Sequence, residues 1–403
     1  MNRIEEMIRE LCPNGVEYKK LGDILNYEHP TKYIVKSTEY DNSYSIPVLT
    51  AGQTFILGYT NEDEGIYEAS KDHPTIIFDD FTTSFHWVDF NFKIKSSAMK
   101  MLRPKTSNVS FRYIYYAMRC IRFEAVDHTR HWISKYSQFE VPVPPLAIQN
   151  EIVNILDKFT ELEAELEAEL EARRKQYEYY RNKLLNFSEF TPPQEGEVKW
   201  LAMSEIFEIK NGYTPSKAKP EYWTNGTIPW FRMEDIRTNG RILEDSIQHI
   251  TPEAVKGGRL FPANSIILAT TATIGEHALI IADSLANQRF TNLSIRKSLA
   301  DELDMKFFFY YMFIVDEWCK NNTNTSGFES VDMVKFKKLQ IPIPPMKEQQ
   351  RIVAILDKFE TLVNDISEGL PAEIAARRQQ YEYYRDKLLT FKRKEDAKIQ
   401  PCC

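Results

Sequence analysis

The chain has no CxxC pair. Its five cysteines are Cys12, Cys120 and Cys319, scattered singly, and the terminal pair Cys402 and Cys403. That usage excludes a disulfide framework and a cysteine zinc site, and it suits a reducing compartment. No apolar run is long enough to cross a bilayer: the longest, "MKFFFYYMFIV" at 305–315, falls well short of a span, and the opening "MNRIEEMIRE" is polar and mixed in charge, so a cytoplasmic protein is expected. The terminal "PCC" reads as a frayed end. Catalytic signatures are missing too. There is no GxxxxGK[ST] for a nucleotide phosphate, no HExxH, no GxSxG, and neither a glycine-rich nucleotide loop nor an [ND]-P-P-[YF] adenine pocket. His128 and His131 stand close together without further ligands at zinc spacing. Asp79 and Asp80 could hold a magnesium ion, but an active site written there once, in a repeated chain, is not expected.

Bulk positive charge is also absent, since the formal charge is −7 over 403 residues. Its distribution is uneven: residues 1–92 carry 7 basic and 16 acidic side chains, and residues 93–140 carry 10 basic and 3 acidic. The basic stretch is interleaved with Phe111, Tyr113, Tyr115, Tyr116, Phe123, His131 and Trp132, a composition that suits phosphate contact with stacking. The other reading of "FRYIYYAMRCIRF", preferred for that helix, is an amphipathic element with its aromatics in the core and its arginines solvated.

What the chain does have is itself, twice. "VPVPPLAIQNEIVNILDKF" at 141–159 recurs as "IPIPPMKEQQRIVAILDKF" at 341–359, and "RRKQYEYYRNKLLNF" at 173–187 recurs as "RRQQYEYYRDKLLTF" at 377–391. Weaker matches precede each helix: "VEYKKLGDIL" with "VKWLAMSEIF", "TIIFDDFTT" with "SIILATTAT", and "SSAMKML" with "NQRFTNL". The order is therefore globular domain, long helix, globular domain, long helix. β-branched and aromatic runs bounded by Gly, Pro and Asn predict β-rich globular parts, and "TPPQEGE" at 191–197 reads as a linker. The prolines of "VPVPP" and "IPIPP" mark a strand exit into a helix rather than an SH3-type ligand.

Between the two blocks of the first helix lies "ELEAELEAELEA" at 161–172. A leucine every fourth residue drifts by about 40° per repeat around a helix of 3.6 residues per turn, and the flanks restore the phase. Ile152, Ile155, Phe159, Leu162, Leu166, Leu170, Arg173, Tyr177, Tyr180, Leu184 and Phe187 form a heptad seam with one stutter. The second copy supplies Ile352, Ile355, Phe359, Leu362, Tyr381 and Tyr384, with Gly369 and Pro371 predicting a kink or break. A helix over about 147–187 spans roughly 60 Å, so two lying antiparallel would make a rod with a domain at each end.

At this point the sequence resembles the specificity subunit of type I restriction-modification systems. The paired helix motifs carry the resemblance, with the opening "LCPNGVEYKKLGDIL" and the second-half segments "GYTPSK", "ATTATIG" and "NQRF". It implies an α+β fold: two β-rich target recognition domains, 1–143 and 191–343, separated by conserved helices at 144–190 and 344–396, with a tail at 397–403. It also implies a non-catalytic DNA reader. Each domain reads half of a bipartite double-stranded site, and the helices set the spacer and dock two adenine-N6 methyltransferase subunits that use S-adenosylmethionine. A restriction subunit using ATP and magnesium joins for cleavage; this chain binds no cofactor or metal and meets no membrane. The alternative is a coiled-coil scaffold or anti-restriction regulator.

Candidate base or phosphate contacts in the second domain are Tyr213 and Thr214, on a turn that could equally be a plain type I or II turn, then Trp230, Arg232, Thr270, Thr271 and Thr273. Asn287 and Gln288, beside Arg289, are adenine readers or else buried amides satisfied by backbone. The first-domain candidates are Gln53, Thr82, Thr83, Ser84, Ser97 and Lys100. For Tyr177, Tyr180, Tyr381 and Tyr384 the alternatives are the seam between the helices, which is favoured, and a methyltransferase contact.

Overall fold

The computed structural model describes residues 2–52, 54–123, 129–187, 198–324, 329–365 and 368–394; the expected linker at 191–197 and tail at 397–403 lie outside them. The chain divides into two compact units, Met1–Glu165 with Ala375–Cys403, and Leu166–Ile374. The boundaries fall inside the helical segments, so each unit holds a globular part together with pieces of both helical copies.

In the first unit, strand Glu17–Lys20 pairs antiparallel with Glu140–Val143, which brings the start of the globular part against its exit. A four-stranded antiparallel sheet runs in the order Leu25–Glu28, Met99–Pro104, Thr75–Asp79, Phe85–Val88. A second sheet places Ile46–Leu49 between Ile56–Thr60, antiparallel, and Lys93–Ile94, parallel. The second unit repeats this plan. Lys199–Ala202 pairs with Gln340–Ile343. A five-stranded sheet runs Phe207–Asn211, Phe290–Ile295, Ser265–Ala269, His277–Ile280, Ile242–Leu243, and Ile228–Phe231 lies between His249–Ile250 and Leu285–Ala286. Register repeats as well: Ile76 faces Leu102 and Ile266 faces Leu293. The central strands "TIIFD" and "SIILA" are apolar without alternation because both of their faces are covered.

One helix crosses each core. Phe111–Arg119 buries Tyr113 and Tyr116 completely, and Met305–Asn321 buries Phe307, Phe308 and Tyr310. The aromatics of the basic stretch are therefore core, as preferred. Its Arg112 is not merely solvated: it donates to Asp157 at 2.8 Å and lies over the Trp87 ring.

The first long helix is Leu146–Leu185, continuous over 40 residues. The second copy is two helices, Met346–Asn364 and Leu370–Leu388. The interruption falls where Gly369 and Pro371 predict it. A Cβ at Gly369 would come within 2.4 Å of the Thr361 carbonyl oxygen, so only glycine allows so close an approach.

Within each unit the two copies meet antiparallel. In the first, Phe159 stacks on Tyr384 at 5.6 Å and Glu163 pairs with Arg378, one number rising as the other falls. In the second, Phe359 stacks on Tyr177 at 6.1 Å and on Tyr180 at 5.7 Å. All four tyrosines thus touch the opposite copy. Ile152 and Ile352 are fully buried, whereas Ile155, Ile355 and the repeat leucines Leu162, Leu166 and Leu170 are half-buried. Leu362 departs from its expected seam position: it is 36% exposed and its neighbour Val363 is buried instead. The buried line runs four residues on from Phe359, to Val363, where the expected stripe took a three-residue step to Leu362.

Candidate nucleic-acid interface

In each unit the central strand of the larger sheet ends in a turn that lies beside the turn entering its neighbour strand. In the first unit Thr75–Asp79 runs into Asp80–Ser84. The Asp79 carboxylate accepts from the N–H groups of Phe81 and Thr82, both at 2.9 Å, and Asp80 N–H donates to the Ala98 carbonyl at 3.0 Å. That bond ties the turn to Ser96–Ala98. Thr82 and Ser97 are exposed and Ser84 half-exposed along this edge.

Two residues assigned here from sequence are internal. Lys100 is 2% exposed and its ammonium lies 3.0 Å from the Asp80 carboxylate and over the Tyr27 ring. A buried lysine needs a partner charge, and Asp80 supplies it, which also removes Asp79 and Asp80 as a magnesium pair. Thr83 is buried at φ +59°, its hydroxyl donating to the Thr82 carbonyl at 2.7 Å. Gln53 lies outside the described residues, as does His128. Among the described residues no cluster of three metal-ligating side chains occurs.

The second unit builds the same edge differently. Thr270 N–H donates to the Arg289 carbonyl at 2.9 Å, which ties the turn after Ser265–Ala269 to the turn before Phe290–Ile295. Ala272 projects from this turn at φ +66°. Gly275 closes it at φ +94°, where a Cβ would press within 2.9 Å of the Asp316 backbone. Thr271 and Thr273 are half-exposed, Gln288 and Arg289 exposed. The Thr214 hydroxyl donates to the Gln288 side chain, so the turn after Phe207–Asn211 joins the edge.

Four of the second-unit assignments turn inward. Trp230 is 3% exposed, donates its indole N–H to the Tyr213 carbonyl at 3.0 Å and meets Trp223 edge-on, so it packs rather than stacks on a base. Thr270 is buried with its hydroxyl toward Thr291. The Tyr213 hydroxyl donates to the Ala254 carbonyl at 3.2 Å and accepts from Lys256 N–H at 2.7 Å, which uses up both of its roles. Asn287 is half-buried with its side-chain oxygen accepting from Arg289 N–H at 3.0 Å. Arg232 is half-buried and paired with Glu234 at 3.0 Å.

Sequence reasoning missed the side chains that seat the core helix of each globular part on the long helices. In the first unit Gln149 is buried: its carbonyl accepts from Ser110 N–H at 2.8 Å and its amide donates to the Pro144 carbonyl at 2.7 Å. Gln349 does the same in the second unit with Asp304 N–H at 2.9 Å and Pro344 at 2.8 Å. Asp157 accepts from Arg112 and from the Tyr116 hydroxyl. Its counterpart Asp357 accepts from Lys306 at 2.8 Å and the Tyr310 hydroxyl at 2.6 Å. Burial first, and then the hydrogen bond to aspartate, push the Tyr116 and Tyr310 phenols up from their ordinary value. The signal was available: this Gln and this Asp stand at identical places in the two "PP…ILDKF" blocks.

The model of the type I restriction modification DNA specificity domain matches the chain twice, over residues 13–172 and 196–376. The specificity subunit of the type I restriction enzyme EcoR124I/EcoR124II of Escherichia coli is 48% identical over 400 residues, covering 94% of this chain and 95% of that one. The EcoprrI specificity subunit of Escherichia coli is 57% identical over 206 residues, about half of each chain (49% and 51%). A structure described as bearing on complex assembly and conformational transition of the type I R-M system shares the fold, with a TM-score of 0.59 at 15% identity over 93% of this chain and 97% of that one.

Proposed function

Because the chain belongs to the type I restriction-modification DNA specificity family, we propose that it is the DNA-reading subunit of such a complex, each unit reading one half of a bipartite duplex site. The observation that carries this is the duplication itself. The seating residues Gln149 and Gln349, and Asp157 and Asp357, make like bonds to the core helix in both units, while the strand-end edges differ in residue type. A repeated frame with two unlike edges suits two different half-sites on one duplex.

Thr82, Ser84 and Ser97 in the first unit, and Thr214, Thr271, Thr273, Gln288 and Arg289 in the second, offer hydroxyls, an amide and a guanidinium to base edges and phosphates. Arg232, half-buried and paired with Glu234, serves as a phosphate contact in this reading. The helix Leu146–Leu185, shared by the two units, sets the spacer, and the outward faces of the helical copies dock two methyltransferase subunits. In this reading S-adenosylmethionine, and the ATP and magnesium of restriction, belong to the partner subunits, and the complex works in the cytoplasm. No helix among the described residues is long and apolar enough to cross a membrane. Family membership does not favour the scaffold reading.

The test is single-molecule mapping of N6-methyladenine in cells carrying a matching methyltransferase subunit, with and without this gene. A split motif methylated only with the gene is the expected result. An unchanged map with the subunits co-purifying would overturn the reading.

A further inference from the structure

Exposed apolar side chains scattered singly are ordinary. Here the most exposed ones are not scattered. Among the described residues the four most exposed large apolar side chains are Val334 at 68%, Ile133 at 62%, and Tyr179 and Tyr383 at 60% each. The tyrosines are repeat equivalents on the helices, where docking is already proposed. Ile133 and Val334 belong to the globular parts, on the short helices His131–Ser134 and Met333–Lys338, which precede the matched exit strands Glu140–Val143 and Gln340–Ile343.

Both short helices are fastened to the edges described above. His131 N–H donates to the Asp80 carbonyl at 2.8 Å, and Trp132 N–H to the Asp80 carboxylate at 2.7 Å. In the second unit Val331 N–H donates to the Thr270 carbonyl at 2.9 Å, and Asp332 caps the helix by accepting from Val334 N–H at 3.0 Å. One side of each helix is buried through Trp132 and Phe336, which turns Ile133 and Val334 outward. Exposed cations lie close to both: Arg130 near Ile133, and Lys337 and Lys338 beyond Val334, whose other flank is the capping Asp332. Each unit thus pushes a branched aliphatic side chain into solvent, beside its reading edge and with exposed cations nearby.

The chemistry of duplex DNA leaves one good match. Base edges in the major groove are hydrogen-bond donors and acceptors, except for the C5-methyl group of thymine. Stacking needs an aromatic face, which neither residue has. We infer that Ile133 and Val334 are specificity-determining residues, each contacting the methyl group of a thymine in its own half-site. The inference rests on the DNA-reading edges proposed above.

The experiment uses the complex with its methyltransferase subunits and a duplex bearing the mapped site, in which each thymine is replaced in turn by uracil, which lacks only the methyl group. One replacement in the second unit's half-site weakens binding by the unaltered complex about fourfold, the transfer worth of one methyl group. The complex carrying Val334→Ser binds both duplexes with that weakened affinity, and Ile133→Ser behaves likewise for the other half-site. Gln288→Ala serves as the control for the edge. If Gln288→Ala weakens binding while every uracil duplex is indifferent to residue 334, the inference fails and the edge stands. If Val334→Ser weakens binding equally on thymine and uracil, the side chain acts as a wedge between base steps and the inference fails. If neither variant alters binding, the edge itself is misassigned and both readings fall.

Discussion

Lys100 sits on a strand next to a candidate DNA edge, and its residue type invites a phosphate partner. Its 2% exposure and its 3.0 Å contact with Asp80 give it a different role, holding the turn that Asp80 begins. Removing one member of a buried ion pair strands the other, so Lys100→Met lowers the stability of this unit by about 3 kcal/mol. The check is the shift in denaturant midpoint. A stable variant whose complex loses DNA affinity would instead return Lys100 to the phosphate role. Thr83 and Trp230 teach the same lesson, because hydroxyl and indole are interfacial chemistries on paper and their burial alone decides otherwise.

Among the elements, the helix Leu146–Leu185 carries both the seam and the repeats. Its repeat leucines are only half-buried, so the ELEA segment is weakly committed to packing and its length is free to vary. One four-residue unit adds about 6 Å at ~1.5 Å per residue. Deleting Glu169 to Ala172 shortens the unread spacer by one or two base pairs, at ~3.4 Å per pair, and leaves both half-sites unchanged, as read from the methylation motif. Altered half-sites with an unchanged spacer would sink the ruler. The seating of each globular part has its own pH signature. The folded-state pKa values of the Tyr116 and Tyr310 phenols lie above their ordinary value of 10.0. Their contribution is therefore complete below pH about 10 and is lost as pH rises beyond it. Denaturant midpoints measured at pH 8 and 11 should fall, and should fall less in Tyr116→Phe with Tyr310→Phe.

For the whole molecule, duplication is the organising fact. Each unit combines a globular part with pieces of both helical copies, so neither half of the linear sequence is a unit by itself. The exposed pair Tyr179 and Tyr383, repeat equivalents at 60% each, fits a partner present in two copies. Tyr179→Ala with Tyr383→Ala should cost about 2 kcal/mol of docking energy per site, the scale of an aromatic anchor. Native mass spectrometry of the reconstituted complex reads this as lost methyltransferase subunits, each single variant losing one. Full occupancy of the double variant at limiting concentration would remove these tyrosines from the interface.

Much of this was legible in the amino-acid order. Repeats reveal themselves without coordinates, and so the duplication, the paired helices, the interruption at Gly369 and Pro371 and the family were all readable from 403 letters. Periodicity placed Phe159 and Tyr381 in the seam because side-chain direction along a helix follows from spacing alone. Tertiary structure decided what spacing cannot reach. Whether Lys100, Thr83, Thr270 or Trp230 meets solvent depends on which distant strand or turn covers it. The roles of Gln149 and Asp157 depend on Ser110 and Arg112, about 40 residues away. Nothing in the residue order singles out Ile133 or Val334. Only the fold turned them outward, because Trp132 and Phe336 had already filled the buried side of each short helix.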